Sequence, residues 1–298
     1  MNLKPEPLIK KKIYFIVNPI SGFGKQKIIE KLVEQHLDHS LFQSEIVYTK
    51  AAKHATELAR QAAINNYDIV VAVGGDGSIN EIGRGLIGTE TALAIVPAGS
   101  GNGLARHLNI PLNIEKAIQV INQLKEIRVD TIQFNEEHFF NIAGIGFDAF
   151  INAKIAKLSK RNFFAYFKVI AQEFYKYKEQ NFEIVINGKT HNKKAFLICF
   201  ANGAQWGYNS FISPLADNKD GLIDIAILKD VSIFNVLKLA FQLLNKTIHL
   251  SPHLEIIKAK EVTIKQLMND AHIDGESVEI GNTIAVKVNP LSLKVIIP

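Results

Sequence analysis

The sequence predicts an α/β unit with a parallel sheet, followed by a mostly antiparallel β unit that carries a few helices. Three observations support this. Through the first 130 residues, short β-rich runs alternate with helix-periodic ones. From about Val129 onward, strand signals dominate. Nine of the 19 glycines fall between Gly74 and Gly103, six of them in two loops that each follow a run of buried-strand character. Strands separated by helices form βαβ units, which build a parallel sheet. A chain of 298 residues also suits two domains.

In order, Ile13–Val17 reads as a buried strand, and Lys25–Leu37 as a helix with Ile28, Ile29, Leu32, Val33 and Leu37 on one face. Glu45–Thr49 is a second strand and Ala55–Ile64 a second helix. Asp68–Val73 is a third strand, Asn80–Ile87 a short helix, Ala92–Val96 a fourth strand and Glu115–Ile127 an amphipathic helix. Beyond this, Val129–Phe134 and His138–Ala143 pair as a hairpin around Asn135-Glu136-Glu137. Phe182–Asn187, Ala195–Ala201, Leu222–Leu228 and runs after Leu254 continue the strands. Phe147–Tyr177, broken near Arg161-Asn162, and Ile233–Leu244 are the helical exceptions.

Composition removes several classes. With 47% hydrophobic and 21% charged residues the chain is neither disordered nor fibrous. The single cysteine, Cys199, forbids an intrachain disulfide, suits a reducing compartment and reads as a small core residue. No apolar run approaches the roughly 18–20 residues of a membrane span, and Lys10-Lys11-Lys12 precedes too short an apolar stretch for a signal segment. The expectation is a cytoplasmic protein whose membrane contact is peripheral, at the inner face. A net charge of +5 without a nucleic-acid-binding signature argues for no nucleic-acid partner. The nine histidines show no metal-ligand spacing, so zinc is not expected.

The chemistry gathers in the glycine loops. Gly74-Gly75-Asp76-Gly77-Ser78 follows the third strand, and Pro97-Ala98-Gly99-Ser100-Gly101-Asn102-Gly103 follows the fourth. Asn18-Pro19-Ile20-Ser21-Gly22-Phe23-Gly24-Lys25 follows the first. Each could be a tight turn alone. Three at strand ends, each opening toward a helix N-terminus, instead predict a polyphosphate site. Lys25 comes too early and is followed by Gln26, so this is no Walker loop; no G-x-G-x-x-G follows the first strand either. Asp76 would repel phosphates unless a divalent cation lay between them, which points to a Mg²⁺–nucleotide.

The segments NPISGFGK, VAVGGDGSINEIGRGL and IVPAGSGNGLARHL, followed in order by NIAGIGFDA, PLADNKDGLIDIAIL and HIDGESVEI, resemble the diacylglycerol and sphingosine kinases. The resemblance is closest to the bacterial lipid kinases and covers nearly the whole chain from Ile13. It implies a phosphofructokinase-like α/β nucleotide-binding domain, residues 1–130, and an antiparallel β-sandwich domain with helices, residues 131–290. A strand at about 291–298 would pack back on the first domain, and the active site would lie between the two. It implies ATP contacts from Asn18, Pro19, Ile20, Ser21, Gly22, Thr49, Gly74, Gly75, Asp76, Gly77, Ser78, Ile79, Asn80 and Ser100. Serine stands at positions 78 and 100 where the family more often has threonine; the hydroxyl is kept. A second Mg²⁺ would be held by the Asp220 side chain and by backbone oxygens of Asp217 and Leu222, although a simple Asp-Gly turn also explains this segment. In His272-Ile273-Asp274-Gly275-Glu276 the resemblance makes Glu276 the general base, with Asp76 the competing candidate; a solvated hairpin turn is the plain alternative.

The implied activity is ATP-dependent, Mg²⁺-requiring phosphorylation of a lipid hydroxyl, on diacylglycerol or a sphingoid base, with a homodimer left open. An NAD kinase is the alternative enzyme, since it shares GGDG and expects an Asn-Glu such as Asn135-Glu136. A nucleotide- or lipid-binding regulator without catalysis is the non-enzymatic one. Trp206 either lines a lipid cleft or packs. Residues 154–178 carry seven Lys or Arg, one acidic residue and seven aromatics; they read as an ordinary solvated helix face or as a surface for anionic bilayers.

Overall fold

The computed structural model describes residues 10–21, 28–156 and 163–298. It divides into two compact units, residues 1–128 with 293–298, and residues 129–292.

The first unit holds β1 (Lys11–Val17), α1 (Ile29–His36), β2 (Phe42–Tyr48), α2 (His54–Ile64), β3 (Ile69–Gly74), α3 (Asp76–Leu86), β4 (Ala92–Pro97), α4 (Gly103–His107) and α5 (Ile114–Ile121). The strands run parallel in the order β2-β1-β3-β4. Both β3 and β4 are buried along their whole length, which is why each reads as a continuous apolar run. The register pairs Val17 with Tyr48 and with Val73, and Val73 with Val96. The carboxyl ends of all four strands are therefore level, and the loops leaving them begin side by side. Helix α3 packs on α2 with little clearance: a Cβ on Gly85 would lie 2.7 Å from Ala59 Cβ.

Three helices differ from expectation; the one read over Glu115–Ile127 ends at Ile121, and Glu126 and Ile127 already begin the next strand, Glu126–Phe134. Helix α3 starts at Asp76, not at Asn80, with Gly75 as its N-cap and Ile79 N–H already donating to Gly75 O. Gly-Asp-Gly-Ser has poor helix propensity, and Ile79 and Ile82 in the core override it. The five-residue α4 is too short for any periodicity to reveal. The expected start of the first helix at Lys25 and the break near Arg161-Asn162 lie outside the described residues.

The second unit opens with β5 (Glu126–Phe134), β6 (Glu137–Phe139), β7 (Ile142–Gly146), α6 (Phe147–Ala156) and α7 (Phe163–Glu173). Next come β8 (Gln180–Ile186), β9 (Lys189–Ala195), β10 (Leu197–Ala201), β11 (Gln205–Gly207), β12 (Ser210–Phe211) and β13 (Ile223–Leu228). It closes with α8 (Val236–Leu244), β14 (Leu254–Ala259), β15 (Glu261–Lys265), β16 (Asp270–Ile273), β17 (Glu276–Glu279) and β18 (Thr283–Ile296). One antiparallel sheet runs β14-β13-β10-β7-β16-β17. The other contains β18-β15-β8-β9. Ile145, Phe200 and Ile225 of the first sheet share one buried core with Phe134, Ile184 and Ile264 of the second, so the unit is a β-sandwich. The strand β9, KTHNKKA, was not legible as such: it is a polar, lysine-rich edge strand. Near its end β18 pairs Val295 with Leu93 in the first unit.

The hairpin of β5 and β6 turns on Asn135-Glu136, with Phe134 opposite Glu137 and Asn135 at φ 53°; its second strand stops at Phe139 and not at Ala143, because Ile142 and Ala143 already belong to β7 of the other sheet. Cys199 is fully buried; burial, then the Asp148 charge, push its thiol well above the ordinary range. Trp206 packs, half-buried, on the Phe196–Leu239 core. Among the described residues no helix is long and apolar enough to cross a membrane.

Candidate active site

In the first unit the level strand ends gather three loops. Asn18 N–H donates to Val73 O (3.1 Å), Thr49 N–H to Val17 O (2.9 Å) and Ala98 N–H to Gly74 O (2.8 Å), so each ladder continues one residue past its strand. Asn18 then joins the first loop to the second, its Nδ2 donating to Ser78 Oγ at 3.0 Å. Its Oδ1 accepts from Ile20 N–H at 3.1 Å, and Ser21 Oγ donates back to Asn18 O at 3.0 Å.

The second and third loops meet backbone to backbone. A Cβ on Gly99 would lie 2.5 Å from Gly75 Cα, and one on Gly74 would lie 2.5 Å from Ser78 Oγ. Neither Gly74, Gly75 nor Gly99 has positive φ. Close approach, not left-handed backbone, is what these positions require of glycine.

Asp76, in the first turn of α3, closes the arrangement. Its Oδ1 accepts from Gly103 N–H at 2.7 Å and its Oδ2 from Asn102 N–H at 2.8 Å. The carboxylate thus caps α4, whose own N-cap residue Asn102 is left-handed (φ 53°) and makes no side-chain cap. Asn102 folds its amide back onto Gly99 instead, at 2.9 and 3.1 Å.

Of the residues implied for nucleotide contact, Asn18, Pro19, Ile20, Ser21, Thr49, Gly74, Gly75, Asp76, Gly77, Ser78, Asn80 and Ser100 lie on these loops or the first turn of α3. Ile20 and Ser100 are exposed. Ile79 is different: its side chain is in the core and its N–H is used inside α3. Gly22 lies outside the described residues.

In the second unit, β16 and β17 form a two-residue hairpin on Asp274 (φ 47°) and Gly275 (φ 85°), with Ile273 opposite Glu276. Both central φ values are positive, as a type I′ turn demands. Glu276 is exposed. Asp274 is not a solvated turn residue: it accepts N–H groups from Phe140, Asn141 and Ile142 at 3.0–3.1 Å. Beneath the hairpin, buried His272 meets Asp148 of α6 at 2.9 Å through Nε2, while its Nδ1 has no hydrogen-bond partner. Burial, then Asp148, also raise the Tyr177 hydroxyl far above the ordinary tyrosine range.

The Asp217–Leu222 turn is held from two sides. Asp217 Oδ1 accepts from Lys219 N–H (3.1 Å), and Asp220 Oδ1 from Leu222 N–H (2.9 Å). Fully buried Asp130 accepts from Gly221 N–H (2.8 Å) and Leu291 N–H (2.7 Å), and its own N–H donates to Asn218 O (2.7 Å). Lys258 Nζ lies 2.8 Å from Asp220 and 3.3 Å from Asp224. Burial alone would lower its pKa, but Asp220 and Asp224 outweigh that and hold it above 10.5.

The donor chemistry can be compared with Mg²⁺. Among the described residues no three His, Cys, Asp or Glu side chains converge as a cation cage. The Asp76 carboxylate lies on loops that also carry the side-chain oxygens of Asn18, Ser78 and Ser100. That hard-oxygen set suits Mg²⁺ completed by phosphate and water. A cation at Asp220 would have to share that carboxylate with Lys258.

Sequence reading missed Asp130, Asp148, Lys258 and the anchoring role of Asp274. The available signal was a charge inside an apolar run, as in Val129-Asp130-Thr131-Ile132. Gly-rich loops at level strand ends of a parallel sheet, in a chain that also forms a β-sandwich, are the frame expected of an enzyme of the phosphoryl-transfer class.

Comparison with known proteins is specific. The diacylglycerol kinase catalytic domain model matches residues 12–134, and that of the YegS C-terminal NAD kinase beta sandwich-like domain matches residues 141–297. The Bacillus subtilis diacylglycerol kinase is 28% identical over 278 residues, 89% of this chain and 90% of that protein. The diacylglycerol kinase of Mycobacterium tuberculosis H37Rv is 27% identical over 274 residues, 89% and 88% of the two chains. The crystal structure of a diacylglycerol kinase from Bacillus anthracis superposes with a TM-score of 0.74 at 22% identity, covering 97% of each chain, and so shares the fold. The chain belongs to the diacylglycerol kinase family of lipid kinases.

Proposed function

We propose that this protein transfers the γ-phosphoryl group of ATP to a hydroxyl of a membrane lipid, with diacylglycerol the first acceptor to test, in a Mg²⁺-dependent reaction at the cytoplasmic face. The observation that carries this reading is Asp76 fastened by Gly103 and Asn102 N–H groups between two glycine loops that touch. Phosphoryl transfer needs positioned donors and charge balance more than covalent chemistry. Residues 1–130 with the returning end of β18 bind the nucleotide, and residues 131–290 bind the acceptor.

The strand-end loops hold the triphosphate: Asn18 through Ser21, Thr49, Gly74 through Ser78, Asn80 and Ser100. Asp76 would hold the divalent cation at the phosphate loops; Mg²⁺, when bound there, would neutralise charge that develops on the phosphoryl oxygens. Glu276 takes the proton from the acceptor hydroxyl as its oxygen attacks the γ-phosphorus, and the bond to the β-phosphate oxygen breaks to leave ADP. Asp274 fixes that hairpin through three backbone N–H groups. Asp220, with carbonyls of Asp217 and Leu222, is the candidate for a second, structural cation.

Asn135 supports this reading over an NAD kinase. Its side chain is engaged by the second unit's own backbone, accepting from Ala285 N–H (2.7 Å) and donating to Thr283 O (3.2 Å). The deciding experiment is transfer from γ-labelled ATP with Mg²⁺ to diacylglycerol, sphingosine and NAD, beside Asp76→Asn. A labelled lipid that vanishes in the variant supports the proposal; label only in NADP, or none in any acceptor with ATP still bound, overturns it.

A further inference from the structure

Six of the sixteen exposed large hydrophobic side chains among the described residues fall within 18 positions of the second unit: Ile233, Phe234, Leu237, Phe241, Leu244 and Leu250. They centre on α8. Phe234 is 96% exposed, Leu237 81% and Phe241 65%. Within α8 the spacing 237, 241, 244 is one helical face, and Phe234 stands in the turn just before it. Leu239 and Leu243, on the other side, pack into the core with Ile248 and Phe196. A helix normally buries its apolar stripe; this one buries one and shows a second to solvent. An apolar face of this kind marks a contact surface.

Charge narrows what the contact is. From Val231 to Leu254 there is no Asp or Glu, while Lys238 and Lys246 are exposed beside the stripe. Lys246 is held 4.5 Å above the Phe211 ring. A second copy docked on the same face would bring these lysines together with no carboxylate from that segment between them. An anionic bilayer satisfies both features, with phosphates for the ammonium groups and acyl chains for the stripe. At nine residues, roughly 14 Å, α8 cannot span a bilayer and must lie in its surface.

We infer that α8 and its flanks, Ile233 to Leu250, are the docking face that seats this protein on an anionic lipid surface. The choice of partner rests on the lipid-kinase reading; the exposed stripe does not. It is also distinct from the basic, aromatic segment 154–178, whose Lys157, Lys160 and Arg161 lie outside the described residues.

The test uses the full chain and needs no nucleotide: co-sedimentation with vesicles of phosphatidylcholine alone or with 30% phosphatidylglycerol. Phe234→Ser/Leu237→Ser/Phe241→Ser changes only exposed positions. It is expected to lower the partition coefficient onto anionic vesicles by about a hundredfold or more, since each large apolar side chain fully inserted is worth roughly tenfold or more. Lys238→Glu/Lys246→Glu is expected to weaken anionic binding and remove its salt dependence. Leu237→Cys bearing a polarity-sensitive dye should shift to the blue on vesicles, the native thiol being buried.

A triple variant that binds like the parent overturns the inference. So does a dye that reports water, or a parent that is a dimer in sedimentation and becomes monomeric in the triple variant without any vesicle binding. A water-dispersed short-chain diacylglycerol separates the two readings. The triple variant should phosphorylate it as the parent does while losing vesicle-embedded acceptor. A parent that docks through the stripe yet phosphorylates nothing would sink the kinase reading and leave the docking face standing.

Discussion

Replacing Asp76 by Asn tests how the nucleotide loops are held together. The carboxylate accepts one N–H on each oxygen, at 2.7 and 2.8 Å, both short enough to be charge-assisted. Asparagine keeps one oxygen but turns an NH₂ toward the other backbone N–H, so one hydrogen bond is lost and two donors face each other. A hydrogen bond to a charged group is worth about 1.5–3 kcal/mol, roughly 10- to 150-fold in the closed population of the Gly99–Gly103 loop. Because α4 has no other side-chain cap at its N-terminus, nothing local replaces the loss.

The assay is hydrogen exchange of the peptide covering residues 98–108, beside calorimetric Mg²⁺–ATP binding and turnover. The expected result is exchange at Asn102 and Gly103 accelerated by one to two orders of magnitude, with weaker nucleotide binding and turnover reduced at least as far. Asp76→Asn with parental protection at these amides would refute the capping role. Turnover within threefold of the parent would refute the wider claim that this carboxylate organises the phosphate site.

Four further outcomes follow from named contacts. Glu276→Gln should lower kcat by roughly 10²- to 10⁴-fold while calorimetric ATP affinity stays at the parental value; a loss confined to binding would remove Glu276 as base. Asp274→Ala leaves three backbone donors without their acceptor. It should lower unfolding free energy by about 2–4 kcal/mol, read from urea midpoints, and an unchanged midpoint contradicts that. Gly99→Ala places a methyl 2.5 Å from Gly75 Cα; the loops must part, costing about 1–3 kcal/mol, and Mg²⁺–ATP affinity should fall with it. Lys258 has a folded-state pKa raised above 10.5, so its stabilisation is complete below that pH and disappears as pH rises through the folded value. Melting curves of parent and Lys258→Met should therefore differ at pH 7–9 and converge above about pH 10.5; a constant gap to pH 11.5 would argue that packing, not charge, carries the difference.

What could be seen in the sequence was whatever depends on neighbours along the chain. Strands β3 and β4 were legible because six consecutive buried residues need six consecutive apolar ones. Asn135-Glu136 was legible as a turn from the alternation on either side of it. The start of α3 was hidden because Gly75 and Gly77 argue against helix locally, and only the burial of Ile79 and Ile82 reverses that. Glycine clustering correctly marked the loops, but for a different reason than expected: Gly75 and Gly99 are small so that two loops can touch. Strand β9 was missed because an edge strand is polar where a central one is not.

Three carboxylates whose anchoring role escaped notice share one physical feature. Asp76 reaches 26 and 27 residues ahead, Asp130 reaches 91 and 161, and Asp274 reaches back 132 to 134. Each spends its carboxylate on backbone N–H groups of a segment remote in sequence. Local propensity and motif spacing carry no record of such a partner. A carboxylate used this way fixes loop backbone more firmly than a neutral acceptor does. In Asp76 and Asp274 it does so within a few residues of the groups proposed to meet the phosphates and the acceptor hydroxyl. Mutating Asp274 should therefore depress kcat through Glu276 even though Asp274 touches no substrate. Restoring two of the three N–H contacts with Asp274→Asn, which keeps the oxygen shared by Asn141 and Ile142 and loses the one that Phe140 meets, should recover part of that loss where Asp274→Ala recovers none. Equal kcat in the two variants would show that charge at position 274, not the fastening of the hairpin, is what the reaction uses.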